Sequence, residues 1–180
     1  MRRLMTYLMA GALLLIPAGA GAQQIEIDRT LQRVGNTPIM LSDVREARLL
    51  KLVPEAGGND DAILTALENR LLMLAEATRI PGTEPARDLI AARRQAWRAT
   101  WPAGTDLPAL MVSAGTTDQD LDGWFRDDLR IATYLDQRFG QVVDATRTKR
   151  ISDWLVELRR RANLIRRGGS TTDQALSSSS

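Results

Sequence analysis

The chain has 180 residues, with 24 basic side chains against 22 acidic ones, and it contains neither histidine nor cysteine. Those two absences exclude thiolate chemistry, an imidazole base, Ser-His-Asp and Cys-His arrangements, and ordinary zinc or haem ligation, so no cofactor or metal is expected. Without disulfides the fold must rest on core packing, which a chain of this length can supply.

Residues 1–22 read as a secretory signal. Arg2 and Arg3 give the positive start, Pro17 ends an apolar run, and a small-residue tract over 18–22 offers a cleavage site before Gln23. The alternative is a membrane anchor, but the 13-residue run over 4–16 is short for a span, which needs about 20 residues. The expected destination is the periplasm. Removing the two signal arginines leaves 22 basic and 22 acidic residues, and that balance gives no general affinity for nucleic acid.

Residues 23–167 read as one mainly helical domain with a small N-terminal sheet. Residues 25–34 carry apolar side chains in partial alternation, residues 35–38 (GNTP) form a turn, and residues 39–41 return as a second strand. Ser42-Asp43 then starts a helix expected to reach Val53, stopped by Pro54 and Gly57-Gly58. Asn59 opens a long helix to about Arg79, with Ile63, Leu67, Leu71 and Leu74 on one face and Asp61, Thr65, Glu68 and Glu76 on a narrow polar side. Thr83 is expected to cap a third helix with Pro85 in its first turn and Ile90, Trp97 and Trp101 on one face. A short helix over 106–113 follows, then one from Thr117 to about Phe139 carrying Leu121, Trp124, Phe125, Ala132 and Leu135. A last helix over 144–163 places Ile151, Trp154, Leu155, Leu158 and Ala162 on one face. Residues 164–166 suit a short strand that pairs with the hairpin, and residues 168–180, rich in Ser, Thr and Gly, suit a disordered tail.

Catalytic material is scarce. The chain has no phosphate-binding glycine loop, no S-x-x-K pair, and no glutamate followed by serine as a lytic transglycosylase would need. Asp60-Asp61 reads as helix-start charge and Asp127-Asp128 as solvated surface. No catalytic residue is assigned. The tryptophans carry two readings. Each lies on an apolar stripe and suits a core; alternatively Trp97, Trp101, Met111 and Trp124 line an open groove, because Met and aromatic side chains adapt to varied apolar partners. The segment 147–167 has eight basic and two acidic residues. It suits either a solvated face that complements an acidic remainder or weak contact with an anionic membrane.

Residues 28–44 (DRTLQRVGNTPIMLSDV) resemble the opening of the SurA-type periplasmic chaperones, a short hairpin followed by a Ser- or Thr-capped helix. Residues 131–139 (IATYLDQRF) and 151–162 (ISDWLVELRRRA) are similar to the end of that family's N-terminal domain and to its closing C-terminal helix. Members usually carry parvulin prolyl-isomerase domains between those last two pieces. Here ten residues separate Gly140 from Ile151, where a domain needs on the order of a hundred, and the histidines of a parvulin site are missing. The resemblance therefore implies the chaperone core without isomerase activity: N-terminal helices with the C-terminal helix packed back on them, holding unfolded outer-membrane proteins without ATP. A non-catalytic envelope module with one dedicated protein partner is the alternative.

Overall fold

The computed structural model describes residues 28–82, 84–141 and 144–162. The signal segment, the first residues of the expected first strand, the cap at Thr83, the strand over 164–166 and the tail all lie outside the described residues. Where described, the chain is mainly helical with one small sheet, as its composition implies.

Strands β1 (Thr30–Val34) and β2 (Thr37–Met40) pair antiparallel, with Val34 opposite Thr37 and an irregularity between Thr30 and Gln32. The loop is two residues long, and Gly35 takes φ +58°, a left-handed position that hairpin turns reserve for glycine. Helix α1 (Leu41–Leu49) follows without a break. The Asp43 carboxylate accepts the Met40 amide at 2.7 Å. Ser42, expected to cap the helix, instead bonds the Asp28 carboxylate through both its amide and its hydroxyl.

Helix α1 also stops four residues short of the expected Val53. Lys51 adopts φ +51°, and the Leu52 amide reaches back to the Ala47 carbonyl at 2.9 Å, closing the helix in a Schellman turn. A lysine in that conformation costs about 1 kcal/mol. The turn directs Leu50, which is fully buried, into the core and leads into a 3-10 turn at Pro54–Ala56.

Helix α2 (Asp60–Ala77) is capped by Asn59, whose side chain accepts from the Asp61 and Ala62 amides. It lies centrally, packed on the hairpin, α1, α5 and α6. Its polar side is narrower than the sequence pattern implies. Glu68, expected on a solvent face, is 3 % exposed, because α6 covers it and brings Arg159 to 4.0 Å. Helix α3 (Arg87–Ala99) starts later than expected, with Pro85 outside its first turn and no side-chain cap. Proline disfavours helical backbone at the preceding residue, and Glu84 there pairs with Arg126 and Arg130 instead.

Helix α4 (Leu107–Ala114) is capped by Asp106 and ended by Gly115 at φ +72°. Helix α5 (Asp118–Phe139) opens with a reciprocal Thr117–Asp120 capping box. Helix α6 (Asp144–Arg161) docks on α2 and α5 through Trp154 and Leu158, as its spacing predicts.

Two apolar clusters result. The larger joins the hairpin, α1, α2, α6 and the second half of α5, with Ile39, Val44, Ile63, Leu67, Tyr134, Trp154 and Leu158 among its members. The smaller joins Leu50, Ile90, Trp97, Met111, Leu121 and Phe125 beneath α3 and α4. Trp124 and Leu52 pack against both.

Candidate functional site

Of the four residues expected to line a groove, Trp97, Trp101 and Met111 come together in the smaller cluster. Trp97 and Met111 are each only 8 % exposed. The Trp97 indole donates to the Leu50 carbonyl at 2.8 Å, and its ring meets Trp101 and Phe125 at about 6 Å between centroids. Such satisfied burial is the core reading of these side chains. Trp101 is half-buried at the edge of the cluster, with the Lys51 ammonium 4.2 Å above its ring. A cavity of about 320 Å³ beside Trp97, lined also by Lys51, Arg93 and Phe125, is the opening left there.

Trp124 is placed differently. It stands between two larger grooves and lines both, together with Arg70. The helical groove, of about 840 Å³, runs between α2, α5, α6 and the 3-10 turn. Its walls are mostly apolar: Leu52, Val53, Pro54, Ala66, Met73, Ile131, Leu135, Ile151 and Leu155. The hairpin groove, of about 640 Å³, lies between β2, α1, α2 and α5. Ile39, Leu67, Leu71 and Trp124 give it an apolar floor, and Asp43, Glu46, Asp120, Arg70 and Arg126 give it charge.

Arg70 divides the grooves and is itself buried. Its guanidinium bonds the Asp128 carboxylate and the Trp124 carbonyl (2.9 Å), lies 3.8 Å from Asp127, and stacks on the Trp124 ring at 3.8 Å. Burial lowers the Arg70 pKa, against the attraction of Asp128 and Asp127. Burial likewise raises both aspartates, against the pull of Arg70. Desolvation thus outweighs the mutual attraction on each member, as expected of a buried ion network. Asp127-Asp128 is therefore an internal anchor for Arg70 rather than the solvated surface that the sequence suggests.

Glu46, on α1, is half-buried. Its carboxylate accepts the Thr116 hydroxyl at 2.9 Å, and Thr116 is held by its amide on the Met111 carbonyl at the end of α4. Burial raises the Glu46 pKa above its ordinary value, and Asp43 and Asp120 push the same way.

In the basic α6, Arg147 turns to Asp136 of α5 and Arg159 toward Glu68 of α2, while Lys149 pairs with Asp153 and Arg160 with Glu157. Much of its charge is thus matched within the fold. Among the described residues no group of three or more carboxylates is placed to hold a metal ion, and no helix is long and apolar enough to cross a membrane.

Sequence reasoning passed over Arg70, Thr116 and Gly123, all of which line grooves. Arg70 and Gly123 carry a signal in hindsight: one is an arginine among the leucines of a central helix, the other a glycine inside a long helix. Comparison with family models, with curated proteins and with solved structures finds no match to this chain.

Proposed function

We propose that this protein is a periplasmic, ATP-independent holding protein that binds extended apolar segments of unfolded envelope proteins, and that it performs no chemistry on them. The observation that supports this reading is the pair of grooves meeting at Trp124. They offer about 840 and 640 Å³ of space open to solvent, the first walled mostly by apolar side chains and the second floored by them, and sites of that size suit several consecutive side chains of a bound chain. The SurA-type resemblance of the hairpin and of the segments at 131–139 and 151–162 supports the same reading. The complete lack of histidine and cysteine removes imidazole- and thiolate-based catalysis from the alternatives.

The test is suppression of light scattering when an unfolded β-barrel membrane protein is diluted from urea into excess purified protein. Dose-dependent suppression is expected. Ala132→Glu, which places a carboxylate in the helical groove at an exposed position, should reduce it while leaving the melting curve nearly unchanged. Equal scattering with and without a large excess of protein would overturn the proposal.

One surface favours a dedicated partner instead. Residues 99–117 contain a single charge, Asp106, in a chain of which 26 % is charged. Within that stretch Val112 on α4 is 81 % exposed. A fixed apolar partner on α4 would appear as one stoichiometric complex in pull-downs, whereas holding activity would recover many weakly bound proteins.

A further inference from the structure

The hairpin groove carries more information than its size. Its two cations are already matched: Arg70 by Asp127 and Asp128, and Arg126 by Glu84. None of those three carboxylates lines the groove. The groove's own acids are in the opposite condition. Asp43 and Asp120 are bonded to the Met40 and Thr117 amides at their helix starts, where the helix dipole favours negative charge. Glu46 stands beyond the first turn of α1 and has only a neutral hydroxyl as partner. The groups that act on it are its own burial, Thr116, Asp43 and Asp120, and no cation is among them. The groove therefore holds an under-compensated negative charge above an apolar floor.

Gly123 is a second, independent oddity. It lies inside α5 and lines this groove one residue before Trp124. Glycine is the poorest helix former after proline, so an interior glycine calls for a cause. A Cβ built on Gly123 would meet nothing within 4 Å. No packing among the described residues calls for the glycine, and the space above it opens on the groove. A glycine at such a point suits the close approach of another backbone.

Resting on the reading that the grooves hold polypeptide, we infer that the hairpin groove selects segments in which a lysine or arginine lies among apolar residues. The bound backbone passes over Gly123, its apolar side chains lie on Leu67, Leu71 and Trp124, and its cation points at Glu46. A lone metal ion would not fit this arrangement, because the described carboxylates form no metal-holding cluster. An acidic segment would meet Glu46 and be repelled.

The experiment uses the purified protein and two labelled ten-residue peptides rich in leucine, read by fluorescence anisotropy at low salt. They differ at one central position, lysine in one and glutamine in the other. The lysine peptide is expected to bind about tenfold more tightly, with the gap narrowing as salt screens the charges. Glu46→Gln should abolish the gap and leave glutamine-peptide binding intact. Gly123→Ala should weaken both peptides several-fold while raising the melting temperature by roughly 2–5 °C. A stabilised Gly123→Ala variant with undiminished binding would overturn the path over Gly123. Equal binding of both peptides, unaffected by Glu46→Gln, would overturn the charge selection and leave the holding function standing. Binding of neither peptide would overturn the holding reading and this inference together.

Discussion

The two apolar clusters are built from similar residues yet differ in what surrounds them. The smaller one is the more closed, with a cavity of about 320 Å³ left beside Trp97. Trp97 is locked edge-on to Trp101, against Phe125 and onto the Leu50 carbonyl, with Met111 buried in the same cluster. The larger one, spread over the hairpin, α1, α2, α5 and α6, is flanked by both grooves, with Arg70 standing between them. The Trp97 nitrogen is bonded, whereas the buried nitrogens of Trp101, Trp124 and Trp154 have no hydrogen-bond partner among the described residues. The comparison separates two uses of tryptophan in one chain: as a closed wedge that fixes α3 and α4 to α1, and as a wall facing solvent-filled space.

The sharpest break of this comparison is Trp97→Ala. Removing a buried tryptophan with a satisfied indole should cost about 3–5 kcal/mol of stability, through lost burial and the cavity left behind. Trp101→Ala, at the half-exposed rim, should cost about 1–2 kcal/mol. Urea denaturation of the two variants beside the parent checks the order. Similar losses for both would mean that the smaller cluster is not centred on Trp97.

Next in size comes the network that divides the grooves. Arg70→Met keeps most of the side-chain volume but leaves the partly buried Asp127 and Asp128 only Arg130 and Arg93, at 3.7 and 3.8 Å. Breaking one side of a buried ion pair is expected to cost about 3 kcal/mol. Adding Asp128→Asn to Arg70→Met should recover part of that loss, since a neutral amide needs no counter-charge. A double-mutant cycle in urea measures the coupling. If the second substitution adds to the loss instead, Arg70 serves by packing on Trp124 rather than through its charge.

Much of the fold was legible because its signals are local. The Thr117 cap, the Gly35 turn, the apolar spacing of α2 and the Trp154–Leu158 face of α6 each lie within a few residues of one another, and each is realised. The candidate site was less legible because it is made of long-range pairs. Arg70 meets Asp128 across 58 positions and Glu46 meets Thr116 across 70. Read alone, each carboxylate looks like solvated helix surface. The tryptophans show the same limit: Trp97 and Trp124 sit on equally good helical stripes. The elements that close over Trp97 and stand away from Trp124 are set by the packing of α3, α4 and α6, which no stripe encodes. The early end of α1 at Lys51 was invisible for a different reason, since a lysine occupies the left-handed position where a glycine would have announced the stop.

The smallest effect sharpens the contrast most. Glu46 faces the open hairpin groove from a half-buried position, and burial, then its acidic neighbours, raise its pKa in the folded protein. An acid with a raised folded pKa holds its proton more tightly when folded than when unfolded. Stability is therefore fully present below the ordinary glutamate range, and it falls as pH rises from that range through the folded pKa. Glu46→Gln removes the ionisation but keeps an oxygen to accept the Thr116 hydroxyl. The variant should melt slightly above the parent near neutral pH, by at most about 2 °C, and the two curves should converge as pH falls through about 4. Asp127 and Asp128 are present in both proteins, so their own raised values cancel in the difference. A gap of equal size at both pH values would assign the gain to packing, and the groove would lose its claim to an uncompensated charge. A gap that closes on acidification would show that the fold keeps Glu46 ionised at a cost that the smaller cluster beneath α3 and α4 does not bear.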